Sequence, residues 1–290
     1  MYDEINRQIE EVSKKLDILL MRIVVPMFTL LPILLSLAKY ISSGYSSESF
    51  QQIYPAKYPF NWKTPFGYMV CAFIQTITVH AAGQIFVSVL ILVVGFCIFV
   101  RAFISDIQDN LLQLNEDFET EIDRLNLCTK ERVELKEKLI GIIEFHSESI
   151  WFTNHFSDTN SSLILVFFLF TTISICNLFL QINMLFEDGN FVSIWHVGFV
   201  ASPIIFWLYL FCHFGDQLTE SFGNVDNAFY QLSWYELPLD MQKCIPMAIS
   251  LAQKEIYLQG FGSINCTKDT FKKIMKSTFS YTSVLRQFSE

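Results

Sequence analysis

Side chains that could do chemistry are scattered along this 290-residue chain, and their spacing matches no catalytic or metal-binding motif. The five histidines form no HExxH pattern, and neither GxSxG nor a pair of carboxylates in an apolar setting occurs. The seven cysteines contain no CxxC pair and no metal-ligand spacing. Gln75, His80 and Gln84 are polar residues in an otherwise apolar stretch, where a ligand contact and an interhelical hydrogen bond explain them equally well. We therefore predict no enzymatic activity, no metal site and no cofactor.

The most polar helical pattern lies at the end of the chain. Residues 271–288 contain three lysines, one arginine and several hydroxyl side chains. Each charge at the centre of a bilayer costs at least about 2.5 kcal/mol, so this helix must be buried in protein or line water. A symmetric ring of subunits would enclose it around a common axis, and polar rings suit the passage of ions. The alternative is an amphipathic helix lying at the membrane surface.

One stripe of this helix is predicted to face such an axis. At helical spacing it consists of Ile274, Thr278, Tyr281 and Leu285. Either Leu285 or the neighbouring Val284 is predicted to form a hydrophobic constriction.

Composition places the chain in the membrane class. Hydrophobic residues make up 52% and charged residues 17%, where a soluble domain carries about 25% charge. No Asp, Glu, Lys or Arg occurs in 64–100, 159–186 or 189–215, and each stretch exceeds the roughly 20 residues that cross a bilayer. The net charge of −9 argues against a nucleic-acid partner.

We predict an all-α fold, a polytopic membrane helical bundle with a cytoplasmic helical anchor domain. The segment between the second and third spans is either a helical extension or a solvated charged hairpin. Within the anchor region, Gly260 to Gly262 predict a turn with positive φ. The predicted segments are a cytoplasmic helix at 1–22, a transmembrane domain at 23–213 with spans near 23–41, 65–100, 161–186 and 195–211 and a cytoplasmic extension at 101–158, the anchor region at 214–269, and the last, pore-lining helix at 270–290.

Basic residues set the predicted orientation, because they are enriched on the cytoplasmic side. They concentrate before the first span, in 101–158 and in 214–273. This distribution predicts a multi-pass protein of the plasma membrane with a cytoplasmic N-terminus and an extracellular C-terminus. The sequons at Asn160 and Asn265 are then not expected to be glycosylated.

Several short sequence motifs follow one another near the C-terminus: CHFGDQLTES at 212–221, WYELP at 234–238, QK at 242–243, AQK at 252–254, GFG at 260–262 and YTSVLRQF at 281–288. In their order and spacing they resemble the C-terminal signature of the insect odorant receptors. In that family the corresponding stretch follows a membrane span, packs four subunits together inside the cell and ends in the helix that lines an ion pore. The resemblance implies a nonselective cation channel that is opened by small volatile apolar molecules and pairs with an odorant co-receptor in a tetramer.

The resemblance also implies a ligand pocket in the outer half of the membrane domain, covered by the polar loop at 42–63. Such a pocket discriminates mainly by shape, at about 0.8 kcal/mol for each buried methylene. Core packing selects the same residue types. The residues that match the family's pocket are Leu34, Leu37, Tyr40, Phe66, Met69, Phe73, Ile182 and Leu185.

The chain also departs from the family pattern. Receptors of this family have seven spans, so the resemblance implies that the first pair of helices is missing. An inactive truncated relative is therefore an alternative reading of the chain, as is another polytopic receptor or transporter. A transporter is disfavoured because the sequence shows no inverted repeat. A G-protein-coupled receptor is disfavoured because proteins of that class have an extracellular N-terminus, whereas this chain is predicted to have a cytoplasmic one.

Overall fold

The computed structural model describes residues 57–122, 129–187, 189 and 191–287, together with Arg7, Glu11, Lys14, Lys15, Ile18 and Leu34. The chain divides into two compact units, Met1–Gly95 and Phe96–Glu290. Most of the predicted N-terminal helix and of the first span lies outside the described residues.

Three long helices dominate the described part of the chain: α1 (Pro65–Ile122), α2 (Thr129–Glu187) and α3 (Phe191–Gly223). Each charge-free stretch of the sequence coincides with one of them. Helical segments long and apolar enough to cross a membrane lie within α1, within α2, and from α3 into the following short helix. The mostly helical fold of a polytopic membrane protein is thereby confirmed.

The first two helices are much longer than a bilayer requires. With 58 and 59 residues, α1 and α2 each extend about 87 Å, against a hydrocarbon core of about 30 Å. Their charged parts, 101–122 and 129–158, continue the same helices as the apolar stretches. Charged surface and membrane-crossing surface are therefore joined by unbroken backbone hydrogen bonding.

The core of the second unit is aromatic where α2 meets α3. The ring of Phe211 stacks on Phe167 at a centroid distance of 4.4 Å and meets Phe168 edge-on at 5.5 Å. Near the end of α3 and just beyond it, Phe222 and Phe229 are also fully buried. Large rings with little rotamer freedom fill the contact between the two helices and fix their register.

Short elements follow α3 and lead to the last helix. A tight two-stranded antiparallel hairpin occurs here, which the sequence analysis did not anticipate. The predicted turn between its strands contains Gly262, with φ +62°, and Phe261, with φ 49°. The elements are α4 (Val225–Gln231), a 3-10 turn (Trp234–Glu236), α5 (Leu239–Gln242), α6 (Cys244–Ala252), β1 (Gln259–Gly260), β2 (Ile264–Asn265) and α7 (Lys268–Gln287).

Candidate pore helix and ligand-contact residues

The last helix, α7, begins at a side-chain cap. The Thr267 hydroxyl accepts a hydrogen bond from the backbone N–H of Thr270 at 3.3 Å and lies 3.2 Å from the Thr270 hydroxyl. Asp269 places a negative charge in the first turn, where the helix dipole favours it. The start of α7 is therefore fixed directly after the hairpin.

Two threonines form the buried side of α7, which packs against α2 and α3. Thr278 is 0% exposed and Thr282 is 2% exposed. The thiol of Cys176 on α2 donates to the Thr278 hydroxyl at 3.6 Å, and the Thr282 hydroxyl donates to the Phe279 carbonyl at 2.9 Å. Both hydroxyls are thus satisfied, so the threonines pack without the cost of an unpaired polar group.

The opposite side of α7 is exposed. At 100° per residue its centre is at Ser280, flanked by Lys273, Lys276 and Val284. The Val284 side chain is 47% exposed. A mostly polar helix face with an apolar residue near its C-terminal end is therefore open to water or to another chain.

The structure divides the predicted pore stripe instead of presenting it on one surface. Thr278 is buried inside its own chain, Ile274 is half-buried, and Tyr281 is 65% exposed. Val284 belongs to the exposed side, whereas the side chain of Leu285 lies outside the described residues. Packing of α7 against α2 and α3 therefore decides which positions of the predicted stripe remain exposed.

One ion pair ties the base of α7 to α3, because the ammonium of Lys268 lies 2.9 Å from the Asp216 carboxylate, a contact that raises the pKa of Lys268. A second ion pair lies within α7, between Lys272 and Asp269 at 3.1 Å. A polar cavity of about 550 Å³ opens beside these pairs. Its lining includes Asp216, Glu220, Asp269 and Lys273.

Polar contacts also hold α1 and α2 to the elements around α7. The guanidinium of Arg101 on α1 donates to the Gln217 side chain at 2.6 Å and to the Ser221 hydroxyl at 3.3 Å, both on α3. The Asp240 carboxylate on α5 lies 2.7 Å from Arg132 and 3.0 Å from Lys136 on α2. Hydrogen bonds from Arg132 and then Lys136 hold the pKa of Asp240 well below its usual range, so this contact stays charged at physiological pH.

The predicted ligand residues are exposed or half-buried where they are described. Phe66, Met69 and Phe73 lie on one face of α1 and are 75%, 63% and 68% exposed, and Leu34 is exposed as well. Ile182 and Leu185, in the second unit, are half-buried on α2. The described part of the chain therefore does not enclose Phe66 or Phe73. Leu37 and Tyr40 lie outside the described residues.

A polar cluster in the first unit was not predicted as a site. Hydrogen bonding to the Cys71 side chain is the main cause that raises the pKa of Tyr58, and the Gln75 side chain acts in the opposite direction. Cys71 and Gln75 are buried. The sequence carried a signal for this cluster, because Gln75 is a polar residue in a charge-free stretch and Tyr58 lies in the aromatic loop just before it.

Comparison with known proteins agrees with this architecture. The family model described as 7tm Odorant receptor matches residues 2–279. Odorant receptor 9a of Drosophila melanogaster is 24% identical over 157 residues, covering 53% of this chain and 39% of that receptor. Odorant receptor 22c of the same species is 22% identical over 270 residues, covering 90% and 63% respectively. The odorant receptor coreceptor of Anopheles gambiae is 23% identical over 162 residues, covering 56% and 33%.

A solved structure has a similar fold. The insect olfactory receptor OR5 from Machilis hrabei, in complex with eugenol, matches with a TM-score of 0.69 at 17% identity, over 99% of this chain and 68% of that chain. This chain spans less than two thirds of the length of the curated relatives described above. The chain belongs to the 7tm odorant receptor family, a family of multi-pass membrane channels of olfaction that are not enzymes.

Proposed function

We propose that this chain is a subunit of an odorant-gated, nonselective cation channel of the plasma membrane, in which α7 contributes to the pore. The observation that carries the proposal is the two-sided character of α7. Thr278 and Thr282 secure one side to the same chain, while the opposite side exposes lysine and serine side chains. Exposing these side chains to lipid would cost several kcal/mol, whereas around a water-filled axis they remain hydrated.

The proposed pore surface is centred on Ser280, with Val284 towards the C-terminal end of α7. Val284 is apolar and exposed, so a ring that includes it would narrow and dry the pore at that level. Tyr281 lies at the edge of this surface, where it can contact either the axis or a neighbouring subunit. Of the other predicted pore residues, Ile274 and Thr278 support the helix from behind, and Leu285 remains a proposed constriction residue.

The proposed orientation places the N-terminus and the region around residues 214–269 in the cytoplasm, and the C-terminus outside. Basic residues before the first span, in 101–158 and in 214–273 support it. Arg101, Arg132 and Lys136 then connect the cytoplasmic parts of α1 and α2 to α3 and α5. Movement of α1 or α2 in the membrane would be transmitted to the region that holds the base of α7.

The proposed ligand is a small, volatile, mainly apolar molecule bound in the outer half of the membrane domain. The predicted pocket residues of the first unit, among them Phe66 and Phe73, supply aliphatic and aromatic surface for it. Tyr58 and Gln75 add hydrogen-bonding groups that would orient a ligand carrying a hydroxyl or carbonyl oxygen. The ligand opens the channel only to the extent that it binds the open state more tightly than the closed one.

The proposed partner is an odorant co-receptor, and the two chains together form a heterotetramer. The local similarity to co-receptor sequences supports a shared manner of packing. The exposed aromatic residues Tyr230, Tyr235 and Tyr281, the last at the edge of the proposed pore surface, provide surface for neighbouring subunits.

The test is whole-cell current from this chain co-expressed with an insect odorant co-receptor, compared with the co-receptor alone. The panel contains eugenol and volatile esters, alcohols, aldehydes and terpenes. A current that appears only with the pair supports the channel proposal. Silence despite surface expression of both chains would contradict it and favour an inactive relative.

A further inference from the structure

We propose, resting on the proposed pore role of α7, that Lys276 places an uncompensated positive charge on the pore wall and so limits how many copies of this chain a cation pore can hold. The remaining positions of the ring would be filled by a subunit whose corresponding helix lacks this charge. Lys273 also adds positive charge to the pore wall, but its effect on cations is weaker.

The position of Lys276 follows from the packing of α7. Taking the midpoint between the buried Thr278 and Thr282 as reference, the opposite direction on a regular helix falls at Ser280, with Lys276 and Lys273 within about 40° of it. All three side chains at this surface are exposed. The side of α7 that its own chain leaves open is therefore also its most basic side.

The charge of Lys276 is not offset nearby. In the described part of the chain, Lys268 pairs with Asp216 and Lys272 with Asp269, whereas neither Lys273 nor Lys276 forms an ion pair. Lys273 borders the cavity that also contains Asp216, Glu220 and Asp269, so carboxylates reduce its field. Beyond Asp269, residues 270–287 contain no Asp or Glu.

The positive charge of Lys276 acts more strongly on the pore than that of Lys273, because Lys276 lies farther from the carboxylates at the base of α7. It follows Asp269 by seven residues, or about 10 Å along the helix axis. The Debye length at physiological ionic strength is about 8 Å, so the carboxylates near the base of α7 are largely screened from it. Four copies would form a ring of four positive charges, a lining found in anion pores and not in cation pores.

The experiment compares K276Q, K273Q and K276R in the chain co-expressed with the co-receptor, using any panel compound that opens the wild-type pair. Single-channel cation conductance is measured in about 10 mM and about 0.15 M salt, where the Debye lengths are about 30 and 8 Å. The double variant K243Q/K254Q is the matched control, because it removes two exposed lysines of the same region outside α7. Surface labelling confirms equal expression.

We expect K276Q to raise the low-salt conductance at least about twofold, because local potentials of this kind change ion concentration by such factors or more. The increase should be smaller in high salt, smaller for K273Q, and absent for K276R and for K243Q/K254Q. Raising the proportion of this chain relative to the co-receptor should reduce the current of the wild type more than that of K276Q.

An unchanged conductance in K276Q, or an equal rise in K243Q/K254Q, would overturn the charge proposal while leaving the channel proposal intact. Absence of any ligand-evoked current from the wild-type pair would overturn the channel proposal, and the inference about Lys276 with it.

Discussion

At the scale of single residues, two buried threonines decide which side of α7 remains open. Helical spacing alone groups Ile274, Thr278 and Tyr281 as one stripe, and this grouping could be predicted from the sequence. The rotation of the helix could not, because it depends on the contact between Thr278 and Cys176, which are 102 residues apart. Long-range packing fixes the rotation, and no local pattern encodes it.

His146 provides a prediction at the same scale. It is fully buried beside the rings of Phe222 and Phe229, neither of its ring nitrogens has a hydrogen-bond partner among the described residues, and burial lowers its pKa to about 4. An unfolded histidine titrates near 6.5. Between these two pH values the unfolded chain binds a proton that the folded chain rejects, so the free energy of unfolding falls as the pH falls from about 6.5 to about 4.

We expect His146→Phe to remove this pH dependence, which is worth on the order of 3 kcal/mol at most. Thermal unfolding in detergent at pH 7.5 and pH 5 measures it, and His155→Gln, which changes an exposed histidine, is the control. An unchanged pH dependence in His146→Phe, or its loss in the control, would show that other groups cause it.

At the scale of secondary structure, long helices were predictable and the short hairpin was not. The charge-free stretches coincide with α1, α2 and α3 because burial and lipid contact both select apolar side chains. Strands of two residues carry no periodic signal. The β1 strand is positioned by packing, since a Cβ at Gly260 would lie 3.0 Å from the backbone nitrogen of Leu165 on α2.

Gly215 offers a direct test of how the hairpin and α7 are held to α3. A Cβ at Gly215 would collide with the carbonyl oxygen of Cys266 and lie 2.6 Å from the Cβ of that residue. Backbone atoms cannot move aside easily, so we expect Gly215→Ala to destabilise the protein by about 1–3 kcal/mol and to reduce surface expression.

Gly223→Ala is the matched control at the end of the same helix, because a Cβ there meets nothing within 4 Å. It should be neutral or stabilise the helix by up to about 1 kcal/mol. Thermal unfolding of both variants in detergent distinguishes the two effects. If the two variants were equally stable, the close contact between Gly215 on α3 and Cys266 would not contribute to the stability of the fold.

At the scale of the whole molecule, the chain joins long apolar helices to a last helix that is too polar for lipid. Composition was sufficient to place the chain in a membrane and to predict that its last helix needs other subunits. Neither the subunit arrangement nor the ligand could be predicted from helical periodicity, because periodicity describes one helix at a time and not the surfaces that several helices form together.

Orientation in the membrane gives the next prediction. Asn265 lies in β2, close to the start of α7, and belongs to an Asn-Cys-Thr sequon. With this region in the cytoplasm, the sequon never meets the glycosylation machinery, so glycosidase treatment should leave the electrophoretic mobility unchanged. As a positive control, a sequon introduced into the segment 42–63, which the sequence predicts to be an extracellular loop, should be modified. Glycosylation of Asn265 would show that this region lies outside the cell, and it would contradict the proposed orientation.

Cysteine accessibility can show whether the exposed side of α7 lines the pore. Ser280→Cys and Val284→Cys represent that side, and Thr278→Cys and Thr282→Cys represent the buried one. Each variant is co-expressed with the co-receptor and exposed to a charged methanethiosulfonate reagent during ligand-evoked current, with the chain that carries no added cysteine as the control for native cysteines. We expect irreversible loss of current at positions 280 and 284 and none at positions 278 and 282. Loss at 278 and 282 with protection at 280 and 284, or an equal response at all four positions, would show that the exposed side does not line the pore.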